Sequence, residues 1–302
     1  MKILCAVDGS EYSQWAIEAI GSLGHRPLTS LTLLHVIDPH HLKQIGSPHM
    51  TGYRGAKAAL TKAGEALLKR MRHQAEVAIS QSAVKPRTTV RTLLLEGAAA
   101  STIVQRAAQE RSDLIVLGTR GLSDIKGFLL GSTSRKVAAL APCPVLVIKR
   151  QPGTMNRVLL AVDDSKHSRR AARYLRSGIL PDSATITVLS AVQSPLTDLA
   201  ARYMPEKEQQ ALMRPALERA EQLVAGMREE LLKEGYAVVT DVQSNHVTDS
   251  IIKQAEADRT DLLVIGSRAL TKSERLYLGS VSESLLKYAP CSVLIVRGAG
   301  TA

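Results

Sequence analysis

The chain carries an internal duplication, and this feature constrains its fold more than any other. The segment KILCAVDGSEYSQWAI at residues 2–17 recurs as RVLLAVDDSKHSRRAA at 157–172. Later in each copy, SDLIVLGTRG at 112–121 matches TDLLVIGSRA at 260–269, and the offset between copies falls from 155 to 148 residues. A middle segment of different length in the two copies explains this change, because loops and helix ends tolerate insertions. The sequence therefore predicts a tandem pair of similar domains.

Each copy has the pattern of an α/β domain. The predicted domains cover residues 1–150 and 157–298, with RQPGTMN at 150–156 as the linker. In the first copy the apolar runs are ILCAV, LTLLHVI, TTVRTLLL, DLIVLG and PVLVIK, and helical patterns cover about 11–23, 56–82, 99–110 and 132–140. Strands that alternate with helices of this length form parallel sheets, and right-handed crossovers place helices on both faces. The predicted fold is α/β, with two tandem doubly wound parallel five-stranded sheets.

The composition agrees with this fold and indicates the cellular compartment. Hydrophobic residues make up 45% and aromatic residues 3% of the 302 residues, so the core is aliphatic, as in parallel sheets covered by helices. The three cysteines are odd in number and far apart, which favours a reducing compartment over a disulfide framework. The first residues run directly into ILCAVD without a signal-peptide pattern, and the run VAALAPCPVLVI is too short to span a bilayer. We expect a cytoplasmic protein without membrane contact.

The positive charge is unevenly distributed. Residues 1–152 contain 20 Lys and Arg against 10 Asp and Glu, whereas residues 153–302 contain 19 against 18. The surplus in the first copy is either an ordinary solvated surface or a field that attracts polyanions, of which phosphates are the obvious kind.

A glycine-rich segment, GTRGLSDIKGFLLGS at 118–132, follows the apolar run DLIVL. Glycine costs backbone entropy, so the spacing G-x2-G-x9-G-S indicates a close approach of a ligand, a tight packing corner or a mobile lid. In doubly wound sheets, ligands bind at the carboxyl ends of strands where the strand order reverses. Asp8 ends the first strand and Gly118 the fourth, so the two residues face one crevice if these strands are neighbours.

Gly131, Ser132 and Thr133 open the helix that follows this segment. A helix N-terminus offers unpaired amides and a positive dipole end, both suited to phosphate oxygens. Cationic side chains lie nearby in the sequence: Arg120, Lys126, Arg135 and Lys136. These features favour a bound triphosphate whose oxygens contact main-chain amides. The glycine spacing matches neither the dinucleotide fingerprint nor the P-loop.

These motifs together resemble the universal stress protein family in its ATP-binding branch. The resemblance rests on AVDGS, HVID, the glycine motif and APCPVLVI in this order, and it covers nearly the whole chain twice. It implies the strand order 3-2-1-4-5 and ATP as the ligand, with Mg²⁺ as an accompanying ion. It also implies that adenine lies near the main chain of Val36 and that Asp8 lies beside the ribose. It assigns the phosphates to Gly118, Gly121, Gly131, Ser132 and Thr133, and Arg120 is a further predicted cofactor-binding residue because of its nearby positive charge.

The second copy departs from the motif. It keeps Asp163, Gly266, Gly279 and Ser280 at the same spacing, but Ala269 stands where the middle glycine is expected. Further departures are Asp164 for Gly9, Ala191 for Val36 and Asn245 for Gly97. A Cβ at a loop position that needs positive φ or close ligand approach costs about 1 kcal/mol or more. We therefore expect a weaker second nucleotide site.

Other candidate residues have simpler interpretations. Asp8 is a candidate helix cap, either directly or through Ser10. His40, His41 and His49 lie in one loop and are candidate metal ligands, but a solvated loop accounts for them equally, and we predict no metal site. Cys143 and Cys291 precede the last strands and are interpreted as small buried residues, with redox sensing as the alternative.

The motifs leave three functions open. The first is a regulatory ATP-binding module of the stress response, the second a slow Mg²⁺-dependent ATPase, and the third a scaffold without nucleotide. Catalytic residues are not predicted, because no nucleophile and base pair is recognisable. Few aromatic residues are available to stack on bases, which argues against nucleic acid as a partner.

The assembly is a separate prediction. The last strands, PVLVIK and SVLIVR, are expected to pair across the two domains and form an intramolecular pseudo-dimer, because pairing protects two apolar sheet edges. Solution scattering from two separated lobes would contradict this expectation. A homodimer of two chains and a protein partner remain open.

Overall fold

The computed structural model describes residues 1–39, 51–81, 88–119, 121, 130–196, 203–244, 246–267 and 278–297. The chain divides into two compact units. Unit 1 is formed mainly by residues 1–153, and unit 2 mainly by 154–268 and 279–296.

Strands and helices alternate in both units. Unit 1 contains β1 (Lys2–Ala6), α1 (Glu11–Gly21), β2 (Ser30–Ile37), α2 (Thr51–Ser80), β3 (Thr89–Glu96), α3 (Ala99–Glu110), β4 (Leu114–Gly118), α4 (Ser132–Leu140) and β5 (Val145–Ile148). Unit 2 contains β6 (Arg157–Val162), α5 (Lys166–Leu175), β7 (Thr185–Ala191), α6 (Glu206–Leu232), β8 (Ala237–Gln243), α7 (Val247–Ala257), β9 (Leu262–Gly266), α8 (Ser280–Tyr288) and β10 (Ser292–Val296).

The strands pair in parallel, in the same order in each unit. Unit 1 has the order β3-β2-β1-β4-β5, and unit 2 has the order β8-β7-β6-β9-β10. Each is 3-2-1-4-5 in the numbering of its own unit, which confirms the predicted doubly wound α/β fold. The strand order reverses between β1 and β4 in unit 1 and between β6 and β9 in unit 2.

The central strands are buried on both faces. In β1, Leu4 and Cys5 have no exposed surface, and in β4 Leu114, Ile115 and Val116 have none. Near-continuous aliphatic runs of this kind are typical of parallel strands covered by helices on both sides. The side chains of β3, at the end of the unit 1 sheet, are exposed or half-buried.

Serine caps fix where the first helix of each unit begins. Ser10 precedes α1 in an extended conformation and accepts a hydrogen bond from Ser13 N. Ser165 precedes α5 and accepts from His167 N and Ser168 N. Both caps satisfy amides that otherwise lack partners at a helix N-terminus.

Some predicted boundaries were wrong by several residues. Helix α1 ends at Gly21 rather than near Leu23, and α2 begins at Thr51 rather than near Ala56. Gly52 and Gly55 have low helix propensity, yet α2 continues through them, because propensity is a weak constraint on a long helix. No described helix combines the length and the apolar character needed to cross a membrane.

The three cysteine thiols are buried. Cys5, Cys143 and Cys291 form no disulfide bond among the described residues, and burial raises the pKa of both Cys5 and Cys143 to about 12. Since the thiolate is the reactive species, we expect no modification of the native protein by a disulfide reagent at about pH 8, and modification after unfolding in guanidinium. Native labelling at the rate of a free thiol would instead support redox sensing.

Candidate functional site

The carboxyl ends of β1 and β4 form a crevice in unit 1. These strands are parallel neighbours with Ala6 paired to Leu117, so the residues that follow them emerge at one edge. Ligands of doubly wound folds bind at this edge, where the strand order reverses. A cavity of about 130 Å³ opens there.

Seven residues predicted from the sequence line this one cavity. They are Asp8, Val36, Gly118, Gly121, Gly131, Ser132 and Thr133. Much of the remaining wall is apolar and comes from the residue that follows β1 and from β2, α3 and β4: Val7, Leu34, Ala99, Ile103 and Leu117. Arg120 and Lys126, also predicted from the sequence, lie outside the described residues. Arg135 and Lys136 lie exposed in the first turns of α4.

Asp8 is held by hydroxyl groups at the start of α1. Its Oδ1 accepts hydrogen bonds from Ser10 N at 3.0 Å, Ser10 Oγ at 2.7 Å and Ser13 Oγ at 2.5 Å. The Asp8 amide donates to Ser13 Oγ at 2.9 Å. The sequence left open whether Asp8 caps α1 directly or through Ser10. In the structure Ser10 is the cap, and Asp8 accepts a hydrogen bond from its hydroxyl.

Gly121 lies against the second carboxylate oxygen of Asp8. A Cβ built on Gly121 would be 2.6 Å from Asp8 Oδ2, closer than two such atoms approach. The other oxygen of this carboxylate is already fixed by Ser10 and Ser13, so the side chain has little freedom to retreat. The absence of a side chain at residue 121 thus keeps the Asp8 carboxylate in place.

Gly118 lacks a side chain for a different structural reason. A Cβ on Gly118 would lie 2.5 Å from Tyr12 Cβ and 3.0 Å from Tyr12 C, so glycine lets the first turn of α1 pack directly on β4. The same contact recurs in unit 2, where a Cβ on Gly266 would lie 2.2 Å from His167 O. The tight packing corner that the sequence left open as an alternative therefore applies to Gly118, although this residue also lines the cavity.

The N-terminus of α4 opens into the crevice. Gly131 precedes the helix, and no described side chain caps it. The Gly131 amide donates to Thr119 O at 2.8 Å, and Ser134 Oγ donates to the carbonyls of Thr119 and Gly131 at 2.9 Å each. The first-turn amides and the positive end of the helix dipole are thereby left for an acceptor.

Thr119 contributes a buried hydroxyl to the same wall. The residue is 3% exposed, lines the cavity, and its Oγ1 makes no hydrogen bond within the described part of the chain. An unsatisfied buried hydroxyl costs about 1–3 kcal/mol, so such a group in a cavity points to a ligand as its partner.

Comparison with known proteins identifies the family. The sequence model of the Universal stress protein family matches residues 1–149 and again 154–297. The chain belongs to the universal stress protein family. It is 33% identical to a universal stress protein of Thermus aquaticus over 147 residues, which are 49% of this chain and 97% of that protein. It is 31% identical to one from Methanocaldococcus jannaschii over 149 residues, 49% of this chain and 82% of that protein.

A solved structure shares the tandem fold. The universal stress protein of Archaeoglobus fulgidus superposes with a TM-score of 0.69 at 22% sequence identity, and the match covers 99% of this chain and 98% of that one. At this identity the likeness concerns the fold of the two proteins.

Unit 2 of this universal stress protein differs at the counterpart of Asp8. Asp163 is exposed, and its Oδ1 accepts from Ser165 N at 3.1 Å and Ser165 Oγ at 2.6 Å. Ser168, the counterpart of Ser13, donates to the main-chain oxygen of Asp163 instead of its carboxylate.

The loop conformation explains the difference. Gly9 has a φ of +89°, which favours glycine, whereas its counterpart Asp164 does not share the positive φ. Asp164 instead forms an ion pair with Arg169 at 2.5 Å. The carboxylate of Asp163 is thus presented differently from that of Asp8.

The unit 2 counterpart of the α4 N-terminus is partly retained. Gly279 precedes α8 without a side-chain cap from the described residues, and Ser280 is its first residue. Ser267, the counterpart of Thr119, is also buried, and its hydroxyl has no hydrogen-bond partner among the described residues. Val281 stands where Thr133 lies in unit 1, so one hydroxyl is lost. Ala269 and Asn245 lie outside the described residues.

Sequence reasoning missed several residues of the unit 1 crevice. Thr119, Ser13 and His35 line it, and His35 Nδ1 lies 2.8 Å from Val7 O. Outside the cavity lining, Arg70 of α2 brings its Nη2 to 3.7 Å from the position of a Cβ on Gly9. Only the position of Thr119, directly after a strand-ending glycine, carried a signal. The others depend on contacts between distant segments.

A protein-based metal centre finds no support in the described part of the chain. No group of three or more His, Cys, Asp or Glu side chains there is arranged to hold a metal ion. The loop histidines His40, His41 and His49 lie outside the described residues.

Proposed function

We propose that this universal stress protein is a regulatory ATP-binding module whose nucleotide occupies the unit 1 crevice. The observation that carries the proposal is the convergence of seven residues, spread from position 8 to position 133, on one cavity with an apolar wall and a polar end. The apolar wall at Val36, Ala99 and Ile103 suits a base, and the α4 N-terminus suits phosphates.

Asp8 is proposed to bind the ribose. Its carboxylate is oriented by Ser10 and Ser13 and lies between the apolar wall and the glycine segment. A carboxylate accepts hydrogen bonds from vicinal hydroxyls, as acidic residues do in other doubly wound folds. Mg²⁺ would accompany the triphosphate and be coordinated mainly by phosphate oxygens, supplying charge neutralisation.

Binding is favoured over hydrolysis. Asp8 is the one carboxylate among the described residues that line the cavity, and three donors already engage its Oδ1. An oxygen that already accepts three hydrogen bonds is poorly available to take a proton from an attacking water, so this carboxylate is badly placed to act as a general base. We therefore propose a nucleotide-dependent regulator, acting in the cytoplasm, rather than a dedicated ATPase.

The proposal is tested by what the purified protein carries. The protein is denatured, and the released small molecules are separated by anion-exchange chromatography and compared with ATP. Titration calorimetry with ATP and Mg²⁺ follows on nucleotide-free protein. We expect bound adenine nucleotide or saturable binding. The proposal fails if no nucleotide is released and millimolar ATP produces no binding heat.

Replacing Thr119 should raise the stability of the ligand-free protein and lower its affinity for ATP. Thr119→Val removes an unsatisfied buried hydroxyl at nearly constant volume, so the free energy of unfolding of the ligand-free protein should rise by about 1 kcal/mol. If the hydroxyl donates to the nucleotide, the affinity for ATP should fall about tenfold. Ser267→Ala in unit 2 is the control and should leave the tight site unchanged. Unaltered ATP affinity in Thr119→Val would remove this residue from the site.

The two units are expected to differ in affinity. We predict about one tightly bound nucleotide per chain, in unit 1, because unit 2 lacks the middle glycine, presents Asp163 differently and has Val281 for Thr133. Calorimetry on wild type and Ala269→Gly measures the stoichiometry. Two equal sites in the wild type would contradict the prediction. Weak unit 2 binding that Ala269→Gly leaves unchanged would shift the cause to Asp164, Asn245, Ala191 or Val281.

A further inference from the structure

Unit 2 contains a groove between α5 and α6 that the nucleotide proposal does not use. Its volume is about 580 Å³, within the range of small-molecule sites. Four arginines line it: Arg169, Arg173, Arg176 and Arg219. Its floor is apolar and includes Ala172, Leu223 and Met227.

The two copies differ at the position where the first and second helices of unit 1 make close contact. In unit 1, a Cβ on Gly21 would lie 2.8 Å from Ala78 O, so glycine lets α1 and α2 approach closely. The counterpart of Gly21, 155 residues on, is Arg176. On the facing helix α6, a Cβ on Gly226 would meet no described atom within 4 Å. Unit 2 therefore has a long arginine side chain where glycine allows the close helix contact of unit 1, and there is open space beside Gly226 on α6.

The arginines at α5 have no counterpart in unit 1. The counterparts of Arg169 and Arg173 in α1 are Gln14 and Glu18. Unit 2 has nearly balanced charge as a whole, so the cations on this face of α5 are a local concentration. Such clustering produces a local positive potential that attracts anions.

Two of the arginines are paired, and the other two have no partner among the described residues. Arg169 is paired with Asp164, and Arg176 donates to Glu230 and Glu234 at 3.0 Å each. Arg173 and Arg219 form no hydrogen bond or ion pair with the residues that the structure describes, and they face the groove from opposite helices. The paired arginines are thereby held in place, and the two others present guanidinium groups to a ligand.

We propose that this groove binds a small organic anion that carries at least two phosphate groups. A guanidinium donates two parallel hydrogen bonds to a phosphate, and arginines on both sides can engage two phosphates at once. The apolar floor contacts the organic part of the ligand. The site is separate from the proposed ATP site, since every residue that lines it belongs to α5, α6 or their flanking positions.

Inorganic tripolyphosphate is the probe, at low ionic strength because the arginines are exposed. Calorimetry is combined with NMR of the arginine Nε–H groups of the full chain. We expect the signals of Arg173 and Arg219 to shift on titration. In Arg173→Gln/Arg219→Gln the affinity of the groove should fall about a hundredfold, about tenfold for each guanidinium. Arg228→Gln, on the same helix but outside the groove, is the matched control and should bind like the wild type.

Several outcomes separate this site from the ATP site and from a membrane. Gly121→Val, which targets the unit 1 crevice, should leave the shifts of Arg173 and Arg219 intact. If they disappear in that variant, or if the double arginine variant binds tripolyphosphate as the wild type does, the groove proposal is overturned. If the Arg173 and Arg219 signals shift with tripolyphosphate but neither unit binds ATP, the nucleotide proposal is refuted and the groove proposal stands. Cosedimentation with vesicles that carry a bisphosphorylated phosphoinositide, lost in the double variant, would assign the groove to a lipid headgroup and overturn the small-molecule assignment.

Discussion

Gly118→Ala is expected to lower the free energy of unfolding of unit 1 by about 2 kcal/mol. The added methyl carbon would lie 2.5 Å from Tyr12 Cβ and 3.0 Å from Tyr12 C, so the first turn of α1 must move away from β4. Overpacking of a close contact costs about 1–3 kcal/mol, and here the backbone is involved. Gly266→Ala should act in the same way on unit 2, where the contact is with the main chain of His167.

Trp15 provides the measurement. It is the single tryptophan of the chain, it lies on α1, and its ring is 4.8 Å from that of Tyr12. Denaturant unfolding followed by tryptophan fluorescence should show an earlier midpoint in Gly118→Ala. Gly153→Ala is the control, because a Cβ at Gly153 would meet no described atom within 4 Å. An unchanged midpoint combined with lost ATP affinity would mean that Gly118 serves only the ligand.

Gly121→Val is expected to reduce ATP affinity in unit 1 at least about a hundredfold and to leave the fold largely intact. The new side chain would collide with Asp8 Oδ2, which lies 2.6 Å from the position of the Cβ. Either the carboxylate leaves the position proposed to bind the ribose, or the glycine segment moves away from the position proposed for the phosphates. Loss of a hydrogen bond to a charged group costs about 1.5–3 kcal/mol, and the lost space adds to this effect.

Calorimetry and unfolding are measured together for this variant. The tryptophan-detected midpoint should shift little, since Gly121 contacts the Asp8 side chain rather than a core helix. The pair of variants therefore separates the two glycines, with Gly118 affecting stability and Gly121 affecting binding. If Gly121→Val lost most of its stability and kept its affinity, residue 121 would also be a packing position, and the proposed nucleotide role of the segment would be wrong.

The duplication and the alternation of apolar runs with helical patterns were enough to predict two α/β units with parallel sheets. Strand burial on both faces follows from local composition, because runs such as Leu114–Leu117 contain no polar residue. The strand order 3-2-1-4-5 came from the family resemblance. Seven of the eight residues predicted for the unit 1 site line one cavity, and the eighth, Arg120, lies outside the described residues.

The tertiary structure alone decided what each of these residues contacts. Two glycines of one motif have different neighbours, Tyr12 for Gly118 and Asp8 for Gly121, and spacing carries no information about them. The unsatisfied hydroxyl of Thr119 and the arginine groove of unit 2 likewise depend on which helices pack together and how closely. The physical reason is one of range. Hydrophobic periodicity reports which side of a segment is buried, whereas a contact between segments far apart in sequence depends on their register and separation, and these are set by the packing of the whole unit.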